Sequence, residues 1–128
     1  MANIKFTSYK KERLQEINLK KKRALEACGG TAERYTKENL TRNKSVISNT
    51  LRGSITHQQR DENTEAIGTG VKYAPYVELG HHQEPGRYVP AIGKRLVKSW
   101  VPPKPYLRPA IEDHQDEYAQ IIKGELGM

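Results

Sequence analysis

The sequence predicts an α+β fold: a long N-terminal helix, a small mostly antiparallel sheet with two hairpins, a short middle helix, and a C-terminal helix packed on the sheet. Three observations predict it. Residues 9–43 place apolar side chains at three- and four-residue steps, the period of a helix with one buried face. Residues 51–101 instead hold short β-branched runs separated by turn residues. Residues 105–124 return to a strict helical stripe.

The elements follow in order. Residues 1–8 read as a flexible arm. In the first helix Leu14, Ile17, Ala24, Cys28, Ala32 and Tyr35 form one narrow stripe, and Lys10, Lys11, Lys20, Lys21, Lys22 and Arg23 cover much of the rest. Gly29-Gly30 interrupts it. Each glycine costs about 1 kcal/mol against alanine in a helix, so a bend or break is the simpler expectation and a close approach by another chain segment the alternative. Residues 51–58 and 64–69 read as two strands, with Asp61-Glu62-Asn63 as the turn.

Then comes Tyr73-Ala74-Pro75-Tyr76-Val77-Glu78-Leu79-Gly80. Proline suits a first helical position, where its missing N–H would be unpaired anyway. Glycine suits the position just past a helix end. A short helix is expected that displays Tyr73, Tyr76, Val77 and Leu79. Residues 87–92 and 95–101 flank Gly93-Lys94 and read as the second hairpin, with Pro90 at a sheet edge or bulge. The last helix opens within Pro103-Lys104-Pro105-Tyr106-Leu107-Arg108-Pro109-Ala110-Ile111-Glu112 and stops at Gly124. Its stripe is Leu107, Ile111, His114, Tyr118 and Ile121. Glu112, Asp113, Asp116 and Glu117 crowd its first half, where the helix dipole favours negative charge.

At 128 residues the chain reads as a single domain, residues 1–128. With 35% hydrophobic residues it suits either a small domain with a loose arm or a subunit that completes its core against neighbours. No run approaches the roughly 18 apolar residues of a membrane span. No hydrophobic segment near the start suggests a signal peptide, so cytoplasmic synthesis is the default expectation. The net charge of +7 is all in the first third: residues 1–44 hold 12 Lys/Arg and 5 Asp/Glu, and residues 45–128 hold 10 of each. Such a segment could meet DNA or an acidic protein surface, or be a solvated helix face.

Catalytic motifs are not found. There is no phosphate loop, dinucleotide fingerprint or nucleophile elbow, so the expectation is a non-enzyme without cofactors. Cys28, the only cysteine, reads as a small core residue. His81-His82 with Glu84 is the most metal-like cluster. Adjacent residues point in different directions along an extended chain, so it reads as a solvated loop and no metal is expected. His114 reads as a hydrogen-bonded core or interface histidine.

Three phrases in order resemble a known family: Thr50-Leu51-Arg52-Gly53-Ser54-Ile55, residues 68–80, and Lys104-Pro105-Tyr106-Leu107-Arg108-Pro109-Ala110-Ile111-Glu112. The family is the tail-component group of lambda-like siphophages, typified by a lambdoid phage's tenth gene product and described as head–tail joining, neck or tail-completion proteins. The resemblance covers about residues 10–124. Ser48-Asn49-Thr50 stands where members often carry an Asp-Thr-Gly turn, and residues 81–103 look like a variable hairpin insertion. The resemblance implies a virion structural subunit, assembled in the host cytoplasm into a ring, often a hexamer, between head connector or stopper and tail-tube or tail-terminator proteins. It implies no catalytic residues.

On these grounds Tyr73, Pro75, Tyr76, Leu79, Gly80, Tyr106, Leu107, Arg108 and Pro109 are expected to build the sheet–helix junction. Arg108 is expected to pair with Glu78 or Glu112. Lys20, Lys21, Lys22, Arg23, Tyr88 and Trp100 are the candidate partner surface, with channel DNA as a further contact. The rival expectation is a small basic DNA-binding protein that uses the first helix.

Overall fold

The computed structural model describes residues 7–43, 48–83, 85–90, 93–95 and 99–127. The architecture is α+β, as the sequence predicts. The predicted arm lies mostly outside the described residues.

Helix α1 (Lys10–Asn43) runs unbroken for 34 residues, roughly 50 Å at 1.5 Å per residue. Its buried positions are Ala24, Gly29, Ala32, Thr36, Asn39 and Leu40. Leu14 and Ile17 belong to the predicted stripe but are half-exposed, because every residue from 7 to 19 lies outside the body. The periodicity is right; the body simply ends before it does.

Gly29-Gly30 neither bends nor breaks α1. A Cβ at Gly29 would sit 2.6 Å from His57 Nδ1, 2.7 Å from Glu65 Oε1 and 2.8 Å from Glu65 Cγ. The glycine admits the hairpin side chains against the helix axis, where His57 Nδ1 and Glu65 Oε1 meet at 2.9 Å and Glu33 Oε2 lies 3.7 Å from His57 Nε2. At Gly30 a Cβ would meet only His57 Nε2, at 4.0 Å. The two neighbours therefore respond oppositely to alanine. Gly29→Ala lowers stability by about 1–2 kcal/mol, overpacking outweighing the gain of about 1 kcal/mol in helix propensity. Gly30→Ala raises it by up to about 1 kcal/mol. Urea unfolding curves of the two variants, with unchanged m, check the opposite signs.

Helix α2 (Ser48–Ser54) replaces the start of the expected first strand. Leu51 and Ile55 are both buried while Gly53 between them is exposed, which suits a helix end better than a strand, whose period of two would turn all three to one face. The hairpin is β1 (Thr56–Asp61) with β2 (Thr64–Gly68), antiparallel, with a register shift between Gln59 and Asp61. Asp61 Oδ1 accepts the Asn63 N–H at 2.8 Å, the expected turn chemistry. This bond, first among several contacts, holds the Asp61 carboxyl below its ordinary range.

Helix α3 (Ala74–Leu79) carries proline in its first turn, and Gly80 follows it as expected. The second hairpin is reorganised into two nested ladders. Strand β3 (His81–His82) pairs with β6 (Trp100–Val101), and inside them β4 (Tyr88–Val89) pairs with β5 (Lys94–Arg95). Pro90 falls in the turn after β4 rather than in a strand. Residues 91–92 and 96–98 of the predicted strands lie outside the described residues, as does Glu84.

The predicted last helix is two. Helix α4 (Leu107–Glu112) ends at Asp113, and α5 (Gln115–Leu126) begins after His114, whose φ of −124° and ψ of 23° leave the helical region. The His114 ring stacks on Tyr35 of α1, with centroids 3.5 Å apart and planes 2° apart. That contact fixes the break. Asp116 and Glu117 thereby stand in the first turn of α5, and Lys123 in its last. Gly124 lies inside α5; the cap is Gly127, at φ 74° and ψ 28°.

The core gathers Leu40, Leu51, Ile55, Ala74 and Tyr106, with Ile67, Val71, Tyr73, Val77 and Leu107 against it. It joins α1, α2, α3 and the start of α4. Among the described residues no helix is long and apolar enough to cross a membrane.

Candidate assembly junction and exposed surfaces

The two proline-bearing phrases clasp each other. The Lys104 N–H donates to Val77 O at 2.8 Å. The Tyr106 hydroxyl donates to Ala74 O at 3.0 Å from a residue that is 2% exposed. One carboxylate closes the joint: Glu78 Oε2 accepts the N–H groups of Tyr106 at 2.8 Å and Leu107 at 3.1 Å, and Oε1 accepts that of Arg108 at 3.0 Å. These are donors at the start of α4 that no intrahelical carbonyl can reach. Tyr106 has no side-chain cap of its own. A carboxylate from another helix does that work, and its charge suits the positive end of α4.

Helix α1 holds the joint from behind. Asn39 Nδ2 donates to Tyr106 O at 3.0 Å, and Asn43 Nδ2 lies 3.2 Å from Lys104 O and 3.3 Å from Pro105 O. Burial, helped by Glu78 and Tyr73, pushes the Tyr106 hydroxyl up to about 12. The group is a neutral donor at ordinary pH, as its bond to Ala74 requires.

Of the residues expected here, Tyr106 is buried, and Tyr73, Leu107 and Pro109 are half-buried. Gly80 abuts the chain after β6. Pro75 stands in the first turn of α3, exposed. Tyr76 and Leu79 do not reach the junction: they are 57% and 71% exposed, and the Tyr76 ring meets that of His81 edge to face. The helix is so short that Ala74 alone faces inward fully. Arg108 meets both expected carboxylates, Glu112 through its guanidinium at 2.9 Å and Glu78 through its backbone. Asn39, Asn43 and the capping role of Glu78 escape sequence reasoning. Their partners are backbone groups 28 to 67 residues away, and no local spacing encodes such pairs.

The candidate partner surfaces are separate from this joint. Lys22 and Arg23 are exposed on α1, Lys21 is half-buried, and Lys20 pairs with Glu16 at 3.2 Å. Tyr88 is exposed, and Trp100 leans on His82 with centroids 4.8 Å apart. Trp100 and Tyr88 sit on different ladders of the nested hairpin. Among the described residues no three His, Cys, Asp or Glu come together as a metal site. His81 Nδ1 is buried without a hydrogen-bond partner, while His82 is exposed.

An apolar groove of about 320 Å3 opens between α1, β2, α4 and α5, lined by Leu25, Cys28, Ala32, Ile67, Ile111, Tyr118 and Ile122 among others. The Cys28 thiol points to Tyr118 O at 3.7 Å, and burial with nearby Glu65 raises its pKa. The Tyr118 hydroxyl donates to Ala110 O at 2.5 Å and is pushed up to about 12, mainly by burial. Tyr35 donates to Glu117 Oε2, and that bond raises the Tyr35 pKa. The lining of this groove is mostly apolar, with Asn63, Thr64 and Glu65 of the hairpin on one side.

No family model, curated protein or solved structure matches the chain.

Proposed function

We propose that the chain is a structural subunit of a tailed-phage or prophage virion, a neck or tail-completion component at the head–tail joint. It acts through ring assembly and contacts with connector or stopper and tail-tube or tail-terminator proteins, not through catalysis. The observation that carries this reading is the mismatch between core and surface. The chain exposes 9845 Å2, against roughly 6,900 Å2 for a compact monomer of 14.6 kDa. Large apolar side chains stand in that surface: Leu14, Ile17, Leu79, Trp100, Ile111 and Ile122 are each at least one-third exposed. A subunit that buries such surface on assembly accounts for the mismatch. The resemblance of residues 68–80 and 104–112 supplies the virion setting, and those two phrases are the ones that lock the junction.

One observation favours the rival DNA-binding reading: residues 7–23 carry seven Lys/Arg against two Asp/Glu, clear of the body for most of their length. Light scattering with and without phage tail proteins, beside gel retardation of duplex DNA, separates the readings. A structural subunit gains mass with its partners and barely retards DNA at physiological salt. A strict monomer in every condition, with no partner captured from infected cells, sinks the proposal. Retardation that weakens steeply between about 50 and 200 mM salt would transfer the case to DNA.

A further inference from the structure

The helical face that carries Ala24, Cys28 and Ala32 into the body does not stop at its edge. Leu14 and Ile17 lie within about 40° of Cys28 around the helix axis at 100° per residue. They are 49% and 50% exposed. The outer half of α1 thus presents the same face that the inner half buries, with none of the described residues covering it. The groove beside Cys28 is the complementary defect, an apolar opening with Ile111 and Ile122 at 43% and 36% exposure. The charges match as well. Residues 7–23 sum to +5, whereas residues 107–126, which include α4 and α5, hold five Asp/Glu and two Lys/Arg, so −3.

We infer that the outer half of α1 docks on the α1–β2–α4–α5 groove of a second copy, with Leu14 and Ile17 covering the opening and the flanking lysines facing the α4–α5 carboxylates. Pairing of two outer helices would set +5 against +5, so the acidic surface is the better seat. A nucleic acid would meet the lysines but leave Leu14 and Ile17 uncovered. Helix and groove are different surfaces, so each chain offers one of each: the contact either runs head-to-tail and closes into a ring, or is made twice in a two-fold pair. At about 320 Å3 the opening takes a few aliphatic groups rather than a whole helix. The inference rests on the self-association part of the reading above and not on its virion part.

Cross-linking of the full chain tests it, because Cys28 is the only cysteine and lines the groove. Ile17→Cys/Cys28→Ser is mixed with the native chain under a mild oxidant, and the disulfide heterodimer between the introduced thiol and native Cys28 is measured. Ile122→Cys/Cys28→Ser replaces the native chain as a second groove probe, and Lys94→Cys/Cys28→Ser replaces Ile17→Cys/Cys28→Ser as the control. Docking makes the Ile17 pair form about tenfold faster than the Lys94 pair, since a bound thiol has a high local concentration. Added salt and Asp113→Lys/Asp116→Lys both slow it. Equal rates for Ile17 and Lys94 with both groove probes overturn the inference. If light scattering still shows oligomers, the assembly reading survives by another surface. If the chain stays monomeric, the inference falls and the virion reading passes to the partner capture.

Discussion

Gly80→Ala lowers the stability of the chain by about 2–4 kcal/mol, from two separable causes. Gly80 has φ 75° and ψ 171°, a region that only glycine enters without strain. A Cβ there would also stand 2.6 Å from Val101 O and 2.9 Å from Pro103 N. Both are backbone atoms, so no side chain can swing aside. The segment after β6 would have to move, and it carries Lys104, whose N–H holds Val77 O two residues before Tyr106. Strain and clash therefore act on the same joint. Thermal unfolding followed by circular dichroism measures the loss, a fall of about 10 °C in Tm for a chain of this size. Gly86→Ala and Gly93→Ala separate the causes. Both glycines have positive φ, 85° and 65°, but nothing lies within 4 Å of a Cβ at either. They should lose only the strain part, about 1 kcal/mol. If Gly80→Ala costs no more than these two, the close approach of residues 101–103 to α3 is not what holds the joint.

The fold class was legible because three long patterns survive any local error: a helical period, a stretch of short strands, and a second helical period. Proline at the start of α3 and glycine after it were legible because their backbone chemistry is local. What escaped was non-local. The glycine pair in α1 carries the same signal for a break as for a close approach. Only the arrival of His57 and Glu65, from a hairpin some 30 residues on, decides between them. The division of the last helix escaped for a like reason. The stripe Leu107, Ile111, His114 keeps helical spacing across the break, and the ring that holds His114 out of line belongs to α1. The mistaken stop at Gly124 shows the converse: a helical glycine and a capping glycine differ in φ, which composition does not reveal. The candidate site was half legible. Tyr106 was visible as a buried anchor, yet its seat depends on Ala74, Asn39 and Glu78, two of them unremarkable in their own neighbourhoods.

Glu78 gives the sharpest test of that seat. Glu78→Ala removes the acceptor of three N–H groups, those of Tyr106, Leu107 and Arg108. A lost cap costs about 0.5–2 kcal/mol, and a hydrogen bond to a charged group contributes about 1.5–3 kcal/mol when sheltered. The donors here are only partly sheltered and water can serve some of them, so the expected loss is about 2–4 kcal/mol. Glu78→Gln keeps one carbonyl oxygen but turns an amino group towards donors, and should lose about half as much. The neighbouring charge pair provides the control. Arg108 and Glu112 meet at 2.9 Å, but with side chains 76% and 53% exposed. Glu112→Ala should stay within about 0.5 kcal/mol of the native chain. Urea unfolding should therefore find Glu78→Ala the least stable variant, Glu78→Gln the next and Glu112→Ala the most stable of the three. If Glu112→Ala proves as costly as Glu78→Ala, the joint is held by surface charge and not by the cap.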